Sequence, residues 1–210
     1  MLALAAGAQA AAPDDAATLA AAIQRHYDQV RDFQADFTHT YVGGILRKKT
    51  VERGHMAVRK PGRMRWTYTD PEQKVFVSDG NRIYSYVPAD KQVYVAAVPA
   101  EDQATTPALF LAGKGDILRD FTVELATVPE APPGSVALKL TPKRAEREYD
   151  WLKLVVDKSS LALRMLITSD SQGGLSTFSF TNLRENTGVA DQEFVFVMPR
   201  GVDVITDAGR

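Results

Sequence analysis

The sequence predicts a mainly β (α+β) fold, an incomplete antiparallel β-barrel of about 10–11 strands with an N-terminal helix and a short central helix. Many short segments alternate apolar and polar residues with a period of two, which is typical of strands with one buried face. Clusters of Gly, Pro, Asn and Asp separate these segments, so successive strands are expected to pair antiparallel. The two apolar helical segments do not alternate with parallel strands, and they must therefore cover a face or a mouth of the sheet.

The N-terminal helix is predicted over residues 16–30. Leu19 and Ile23 belong to an apolar stripe with spacings of three and four, and acidic residues precede the first turn, where they suit a helix N-terminus. Residues 33–41 then alternate apolar and polar and predict a half-buried strand. A second strand is predicted over residues 45–59, and its charged middle fits a solvated face.

An aromatic stripe follows in residues 63–69 and 74–87. In the first segment Met64, Trp66 and Tyr68 alternate with polar residues, and the second is predicted as a hairpin around an Asp-Gly turn. Tyr84 and Tyr86 fall on one face of its second strand. The pattern alone favours an ordinary filled core over the lining of a ligand pocket, because most apolar stripes are core.

The central segment, residues 105–118, predicts a short helix with apolar residues that need burial. A Thr before a Pro suits its start and Gly113 suits its end. The remaining strands are predicted at residues 92–98, 121–127, 135–141, 151–156, 161–169, 175–184 and 194–198.

Composition fits one domain over residues 13–210. The chain has 210 residues, of which 45% are hydrophobic and 24% charged, and its net charge of -1 gives no global reason to expect nucleic acid. It contains no cysteine, which excludes disulfides, thiolate metal sites, a cysteine nucleophile and lipid attachment through cysteine. No segment approaches the roughly 20 apolar residues of a membrane-spanning helix.

The first twelve residues predict the remnant of a secretory signal peptide. Residues 1–12 are small and apolar, and they contain the Ala8-Gln9-Ala10 cleavage pattern just before a polar stretch. The alternative is an Ala-rich tail. The signal interpretation implies an exported, soluble mature protein.

The sequence offers no recognisable catalytic or metal site. Its three histidines, His26, His39 and His55, lack the spacing of a metal pair, and phosphate-binding or nucleophile-elbow motifs do not occur. Residues 143–150 mix charges of both signs, as a solvated loop does. We therefore predict no enzymatic activity, no cofactor and no metal.

Several motifs occur in an order that resembles one known family. They are F-Q-A-D-F-T from Phe33, K-P-G-R-M-R-W-T-Y from Lys60, V-S-D-G-N-R-I-Y-S-Y from Val77, T-P-A-L-F-L-A-G from Thr106 and F-V-F-V-M-P-R-G-V-D-V-I from Phe194. Each is weak by itself, but their shared order and spacing over nearly the whole mature chain resemble the periplasmic outer-membrane lipoprotein carrier family (LolA).

The resemblance implies a barrel left open and closed by helices that act as a lid over an apolar cavity for lipoprotein acyl chains. It implies a soluble periplasmic carrier, expected to be monomeric, whose cargo is acylated lipoprotein. The implied partners are an inner-membrane lipoprotein-releasing ABC transporter and an outer-membrane acceptor. A related receptor is anchored through an acylated cysteine, so the absence of cysteine favours the soluble shuttle.

The resemblance also implies site residues. Arg often precedes the family's Pro and Phe stands three residues beyond it, whereas here Lys60 precedes Pro61 and Met64 takes the aromatic place. Lys lacks the planar fork of Arg, so either Arg59 or Lys60 is the predicted lid latch. The predicted cavity and lid residues are Phe33, Phe37, Met64, Trp66, Tyr68, Tyr84, Tyr86, Leu109, Phe110 and Leu111.

Two other functions remain open at this point. A half-barrel binding module could carry or sense another lipid or amphiphile of the cell envelope. A structural adaptor would instead have a filled core and no pocket under its helices.

Overall fold

The computed structural model describes residues 15–98, 111–113, 115–146 and 148–206. Two α-helices, two short 3-10 helices and twelve strands lie in these ranges. The helices are α1 (Ala16–Gln29), α2 (Ile117–Asp120), and the 3-10 turns Pro88–Asp90 and Asp191–Phe194. The strands are β1 (Asp32–Val42), β2 (Lys49–Arg59), β3 (Arg63–Asp70), β4 (Lys74–Asp79), β5 (Arg82–Val87), β6 (Gln92–Ala97), β7 (Phe121–Ala126), β8 (Ser135–Pro142), β9 (Trp151–Asp157), β10 (Leu163–Ser169), β11 (Leu175–Glu185) and β12 (Asp203–Thr206).

All twelve described strands form one sheet, in the order β12-β6-β5-β4-β3-β2-β1-β11-β10-β9-β8-β7. Neighbours pair antiparallel except β12, which runs parallel to β6. The long strand β1 pairs with β2 on one side and with β11 on the other, and so joins the two halves. The predicted open antiparallel sheet with an N-terminal helix and a short helix is confirmed.

The predicted elements differ from the structure at three places. Residues 45–48 form a turn rather than the start of β2, because their backbone bonds close a loop on Gly43. Residues 195–198 follow a 3-10 turn and pair with no described strand, whereas β12 was not predicted. Residues 1–12, and residues 105–110 and 114 of the predicted central segment, lie outside the described residues.

Helix α1 begins and ends where its sequence directs. The carboxylate of Asp15 accepts a hydrogen bond from the Thr18 amide at 3.2 Å, which caps the first turn. Leu19 and Ile23 lie on the buried stripe, at 0% and 5% exposure. The helix ends at Val30, whose amide donates to the Tyr27 carbonyl at 3.1 Å, and the chain passes directly into β1.

The sheet is strongly curved, as distances between side chains on one face show. Trp66 on β3 and Phe178 on β11 are separated by three strand spacings, roughly 14 Å in a flat sheet. Their ring centroids are nevertheless 5.2 Å apart. The face that carries these rings is therefore concave, and we call it the inner face.

The inner face carries the main core and α1 packs against it. Aliphatic side chains dominate on the β8–β10 side, including Leu138, Leu140, Leu152, Leu154 and Leu166, all at most 1% exposed. The opposite, outer face has a smaller apolar cluster on the same strands, formed by Val128, Ala137, Val155, Met165 and Ile167. Within the described parts of the chain, no α-helix combines the length and apolarity needed to span a bilayer.

Candidate functional site

An aromatic cluster lies on the inner face where β1, β3, β4 and β11 come together. Strand register places its members side by side, since Trp66 pairs with Phe76 and Phe37 with Phe180. Phe37 is central, with ring centroids 5.1 Å from Trp66 and 4.9 Å from Tyr68 in edge-to-face geometry. The inner aromatic cluster comprises Phe37, Trp66, Tyr68, Phe76, Phe178 and Phe180.

Most of the predicted cavity residues lie on this inner face. Those that the structure describes there are all buried, at 8% exposure or less: Phe33, Phe37, Met64, Trp66, Tyr68 and Leu111. The predicted residues Leu109 and Phe110 lie outside the described residues. Phe178 and Phe180 were missed, although their alternation within the predicted strand 175–184 was a usable signal.

Tyr84 and Tyr86 do not belong to this cluster, and their predicted placement is wrong. Val77 pairs with Arg65 on one side and with Tyr84 on the other, so these three residues share the outer face. Tyr84 stacks on Phe196 of the C-terminal segment with centroids 5.0 Å apart, and Tyr86 meets the same ring edge-on. The alternation within β5 correctly placed the two tyrosines on the same face of that strand. The pairing of β5 with β4 and of β4 with β3 determines that this is the outer face.

An apolar cleft lies beside the aromatic cluster, beneath α1. With α1 in this position the cleft is almost filled, because the volume open to a water-sized sphere is about 20 Å³. Its polar side chains include His26 and Glu185, whose ring Nε2 and carboxylate lie 3.2 Å apart. The apolar lining comes from Ile23, Phe33, Leu111, Leu154, Val156, Leu161, Leu163 and Leu183, with the ring of Tyr27.

Polar contacts fasten the C-terminal end of α1 over this cleft. The Lys60 ammonium donates to the Tyr27 carbonyl and lies 3.7 Å from the centroid of the Tyr27 ring. The Tyr27 hydroxyl in turn donates to the Leu111 carbonyl, and the Gly62 amide donates to the Ala112 carbonyl at 3.0 Å. One lysine therefore connects the β2–β3 turn to the last turn of α1, where a cation suits the helix dipole.

Burial changes the acid–base behaviour of this contact. It lowers the pKa of Lys60 to about 8, although the carboxylates of Asp28 and Glu185 act in the opposite direction. Burial also raises the pKa of Tyr27, and the nearby Glu185 raises it further. The Tyr27 hydroxyl therefore stays neutral and can donate its hydrogen bond. The pKa of Lys60 lies just above neutral pH, so its side chain loses its charge at mildly alkaline pH.

Arg59 points to the other side of the sheet, and its predicted role at the lid is wrong. It follows the alternation of β2, in which Met56 and Val58 face inward and residues 55, 57 and 59 face outward. Its guanidinium donates to the Val189 carbonyl at 3.0 Å and to the Asp191 carboxylate at 2.8 Å. Of the two predicted latch residues, the one that contacts α1 is Lys60.

A polar cluster borders the aromatic rings towards the β1–β2 loop. His39 lies between Glu52 and Ser176, with its Nδ1 3.2 Å from the Glu52 carboxylate and its Nε2 2.6 Å from the Ser176 hydroxyl. Burial lowers the pKa of His39. The interaction with Glu52 acts in the opposite direction but is weaker. Burial alone would raise the pKa of Glu52, but Lys74 and His39 outweigh it and hold that pKa below its ordinary value.

The cluster has the residue types of a Ser-His-carboxylate triad, but the backbone amide of its Ser is not available to stabilise an oxyanion. Ser176 lies within β11 and is paired on both sides, with Tyr41 and with Thr168. Its own amide is thus used in strand pairing and is not free to stabilise an oxyanion. The imidazole also stacks on Phe178 with centroids 4.1 Å apart. The arrangement fits a polar tether that fixes one end of the aromatic cluster.

The indole of Trp66 adds one polar group to the inner face. Its Nε1 is buried and has no hydrogen-bond partner among the described residues. Buried donors are normally paired, so this one is available to an acceptor that enters the inner face.

Comparison with known proteins identifies the relatives of this chain. The family model described as outer membrane lipoprotein carrier protein LolA matches residues 28–197. The outer-membrane lipoprotein carrier protein of Nitrosomonas europaea is 32% identical over 177 residues, which cover 83% of this chain and 82% of that protein. That of Chromohalobacter salexigens is 31% identical over 184 residues, covering 87% and 84%.

A solved structure shares the fold. An uncharacterized conserved protein from Thermus thermophilus superposes with a TM-score of 0.56 at 10% identity, covering 91% of this chain and 99% of that one. At this identity the likeness concerns the fold alone.

Proposed function

The chain belongs to the outer membrane lipoprotein carrier (LolA) family, and on that premise we propose that it is a soluble periplasmic carrier of lipoproteins. Its inner face holds the acyl chains of a triacylated lipoprotein. An inner-membrane lipoprotein-releasing ABC transporter supplies the cargo, and an outer-membrane acceptor receives it. The protein binds and releases without catalysing a reaction.

The observation that carries this proposal is an apolar inner face with a cleft beneath α1. The cleft lining is apolar apart from a few groups such as the His26–Glu185 pair, which suits a hydrocarbon chain with a polar group at its end. Each methylene removed from water contributes about 0.8 kcal/mol, so a long acyl chain gains many times RT by entering. A carrier must supply such a surface, because acyl chains cannot cross an aqueous compartment unshielded.

Cargo entry requires α1 to move, because its apolar stripe occupies the inner face. Leu19 and Ile23 are buried against the sheet, and their exposure costs free energy unless acyl chains take their place. An exchange of one apolar partner for another keeps the net change small. Reversible loading and release depend on such a balance.

The polar contacts of the lid fit the same cycle. The described contacts between Lys60, Tyr27 and Leu111 are hydrogen bonds at one end of α1, each of which contributes only about 0.5–3 kcal/mol net. They align the helix without committing the protein to the closed state. We assign Lys60 the latch role for this reason.

Mass spectrometry of the protein purified from the periplasm of its native host tests the proposal. The expected result is a co-purifying peptide with a diacylglyceryl group and an N-linked acyl chain. A free lipid or glycolipid in its place would overturn the lipoprotein assignment in favour of a carrier for another amphiphile. Protein recovered without any apolar ligand, even after crosslinking in intact cells, would contradict both.

A further inference from the structure

The β1–β2 loop exposes two neighbouring aliphatic side chains. Ile45 is 82% and Leu46 86% exposed, the highest values for large apolar side chains among the described residues. Single exposed aliphatic residues are common on protein surfaces. Two in sequence at the tip of a protruding loop place a compact apolar surface in water, and such surfaces mark interaction sites.

The backbone of this tip, residues 43–49, is held in a defined conformation. The Gly43 amide donates to the Lys48 carbonyl at 3.0 Å, and the Arg47 amide donates to the Gly43 carbonyl at 3.1 Å. Gly44 packs directly on the β10–β11 turn, since a Cβ there would lie 1.9 Å from the Gln172 carbonyl oxygen. The tip is thus a built feature, supported by a neighbouring loop.

Basic residues surround the two aliphatic side chains. Arg47, Lys48 and Lys49 are all exposed, and in the described part of the chain none of them forms an ion pair. Neighbouring cations behave differently, since Arg53 pairs with Asp70 at 2.8 Å and Lys74 pairs with Glu52. The net charge of the whole chain is -1, so this positive charge is local.

We propose that the tip, residues 43–49, docks on the surface of an anionic lipid bilayer. Ile45 and Leu46 enter the boundary between headgroups and acyl chains, and Arg47, Lys48 and Lys49 face the anionic headgroups. Apolar side chains flanked by a cationic cluster are the combination that binds interfaces of this kind. A protruding tip with unpaired cations suits a deformable, negatively charged surface better than it suits a shaped protein pocket.

The position of the tip determines which end of the inner face would approach the bilayer. Strand β1 runs from Asp32 beside α1 to Val42 at the tip, and its inward-facing Phe37 and His39 belong to or border the aromatic cluster. From Phe37 to Val42 the strand covers roughly 17 Å. If the inner face holds acyl chains, which rests on the proposed function, docking brings that end of it close to the bilayer.

Vesicle sedimentation of the whole protein tests the inference. The wild-type protein is expected to sediment with vesicles of phosphatidylethanolamine and phosphatidylglycerol, and much less with phosphatidylcholine vesicles. The double variant Ile45→Ser, Leu46→Ser is expected to lose most of this binding. The double variant Lys48→Gln, Lys49→Gln should bind about fivefold more weakly for each cation removed, with a smaller dependence on salt.

The matched control is Val197→Ser, which removes another aliphatic side chain, 79% exposed, from the C-terminal segment. It should bind vesicles like the wild type. The inference is overturned if the wild-type protein stays in the supernatant, if the aliphatic double variant binds normally, or if the control loses binding equally. Capture of a soluble triacylated lipopeptide, measured without vesicles, reports separately on the proposed function and should be unchanged in the tip variants.

Discussion

The two faces of the sheet around β3–β5 are both aromatic, yet the chain covers them differently. On the inner face Trp66 and Tyr68 belong to the same core cluster as Leu19 of α1, a helix fastened at one end by polar contacts. On the outer face Tyr84 and Tyr86 are covered by the C-terminal segment through Phe196. Both sides carry aromatic rings, and in the proposed function what differs is whether the cover can be exchanged.

The outer cover is tied down along its length. Asp191 accepts hydrogen bonds from both Arg59 and Arg63, and the Glu193 carbonyl accepts from Arg65 at 3.2 Å. Asp32 further binds the amides of Thr187 and Gly188, at 2.8 Å and 3.0 Å. In the proposed function the outer aromatic residues are therefore structural, and the inner ones are those that contact the acyl chains. Five measurements test this distinction, from the largest expected effect to the smallest.

Met64→Glu should have the largest combined effect, on binding as well as on stability. Met64 is 6% exposed on the inner face, and a carboxylate there is removed from water among apolar side chains. We expect loss of lipopeptide capture and a fall of about 2–5 kcal/mol in the free energy of unfolding. Pull-down with a biotinylated triacylated lipopeptide and urea titration measure the two effects.

Thr67→Glu is the matched control, because it puts the same charge on the outer face of the same strand. It should capture lipopeptide normally and change stability by about 0.5 kcal/mol or less. Equal loss of capture in both variants would show that the faces are not functionally different.

Phe194→Ala should destabilise the fold without weakening binding. Phe194 is 2% exposed where the C-terminal segment meets β3 and β4. Removal of a buried Phe ring costs about 3–5 kcal/mol, and the inner face does not contribute to that loss. Lipopeptide affinity measured below the unfolding transition should match the wild type, and weaker binding by folded protein would contradict the division between faces.

The two tryptophans provide a direct comparison, since Trp66 lies on the inner face and Trp151 packs with the outer apolar cluster. In the variant Trp151→Phe, lipopeptide should shift the emission of Trp66. In the variant Trp66→Phe, the emission of Trp151 should stay constant. The opposite result would place the acyl chains on the outer face.

Lys60→Met should loosen α1 by a smaller amount. It leaves the Tyr27 carbonyl without its cationic donor, at a cost of about 1 kcal/mol. Hydrogen exchange in the last turn of α1 should accelerate about fivefold, while Lys60→Arg, which keeps the charge, should exchange more slowly than Lys60→Met. Unchanged exchange in Lys60→Met would remove Lys60 from the latch role.

The pH dependence of the same contact is the subtlest effect. Burial lowers the pKa of Lys60 to about 8 from an ordinary 10.5, so the unfolded chain binds the proton more tightly. The Lys60 contribution to stability therefore rises with pH between about 8 and 10.5 and is constant below that window. Titration of the Lys60 side-chain ¹³Cε signal by NMR measures the value directly, and a result near 10.5 would mean an exposed ammonium and an unmade contact.

The sequence predicted what depends on local periodicity and missed what depends on pairing. Met64, Trp66 and Tyr68 were placed on one buried face correctly, because alternation within a strand is a local property. Whether Tyr84 lies on the same face as these residues depends on the strand register from β3 through β4 to β5. A register shift of one residue moves Tyr84 to the other face. The outward position of Arg59 follows the same rule.

Other contacts could not be predicted from the sequence, because they join residues that are far apart in the chain. The association of His39 with Ser176, which are 137 positions apart, brings together two strands that no local pattern connects. The contact between Lys60 and Tyr27 depends on where α1 lies, which its amphipathic stripe does not specify. The family resemblance, by contrast, was readable in the order of short motifs, and the family model confirms it over residues 28–197.

The direct passage from α1 into β1 has a mechanical consequence. Only Val30 and Arg31 separate the helix from the sheet, so the movement of α1 that the proposed cycle requires would pivot at these two residues. The 14 residues of α1 give a helix about 21 Å long, and Lys60 contacts it at Tyr27, within one turn of Val30. In the proposed cycle, a force applied near Ala16 therefore acts on a longer arm than the Lys60 contact does, so the far end of α1 is where we expect cargo to open the lid most easily.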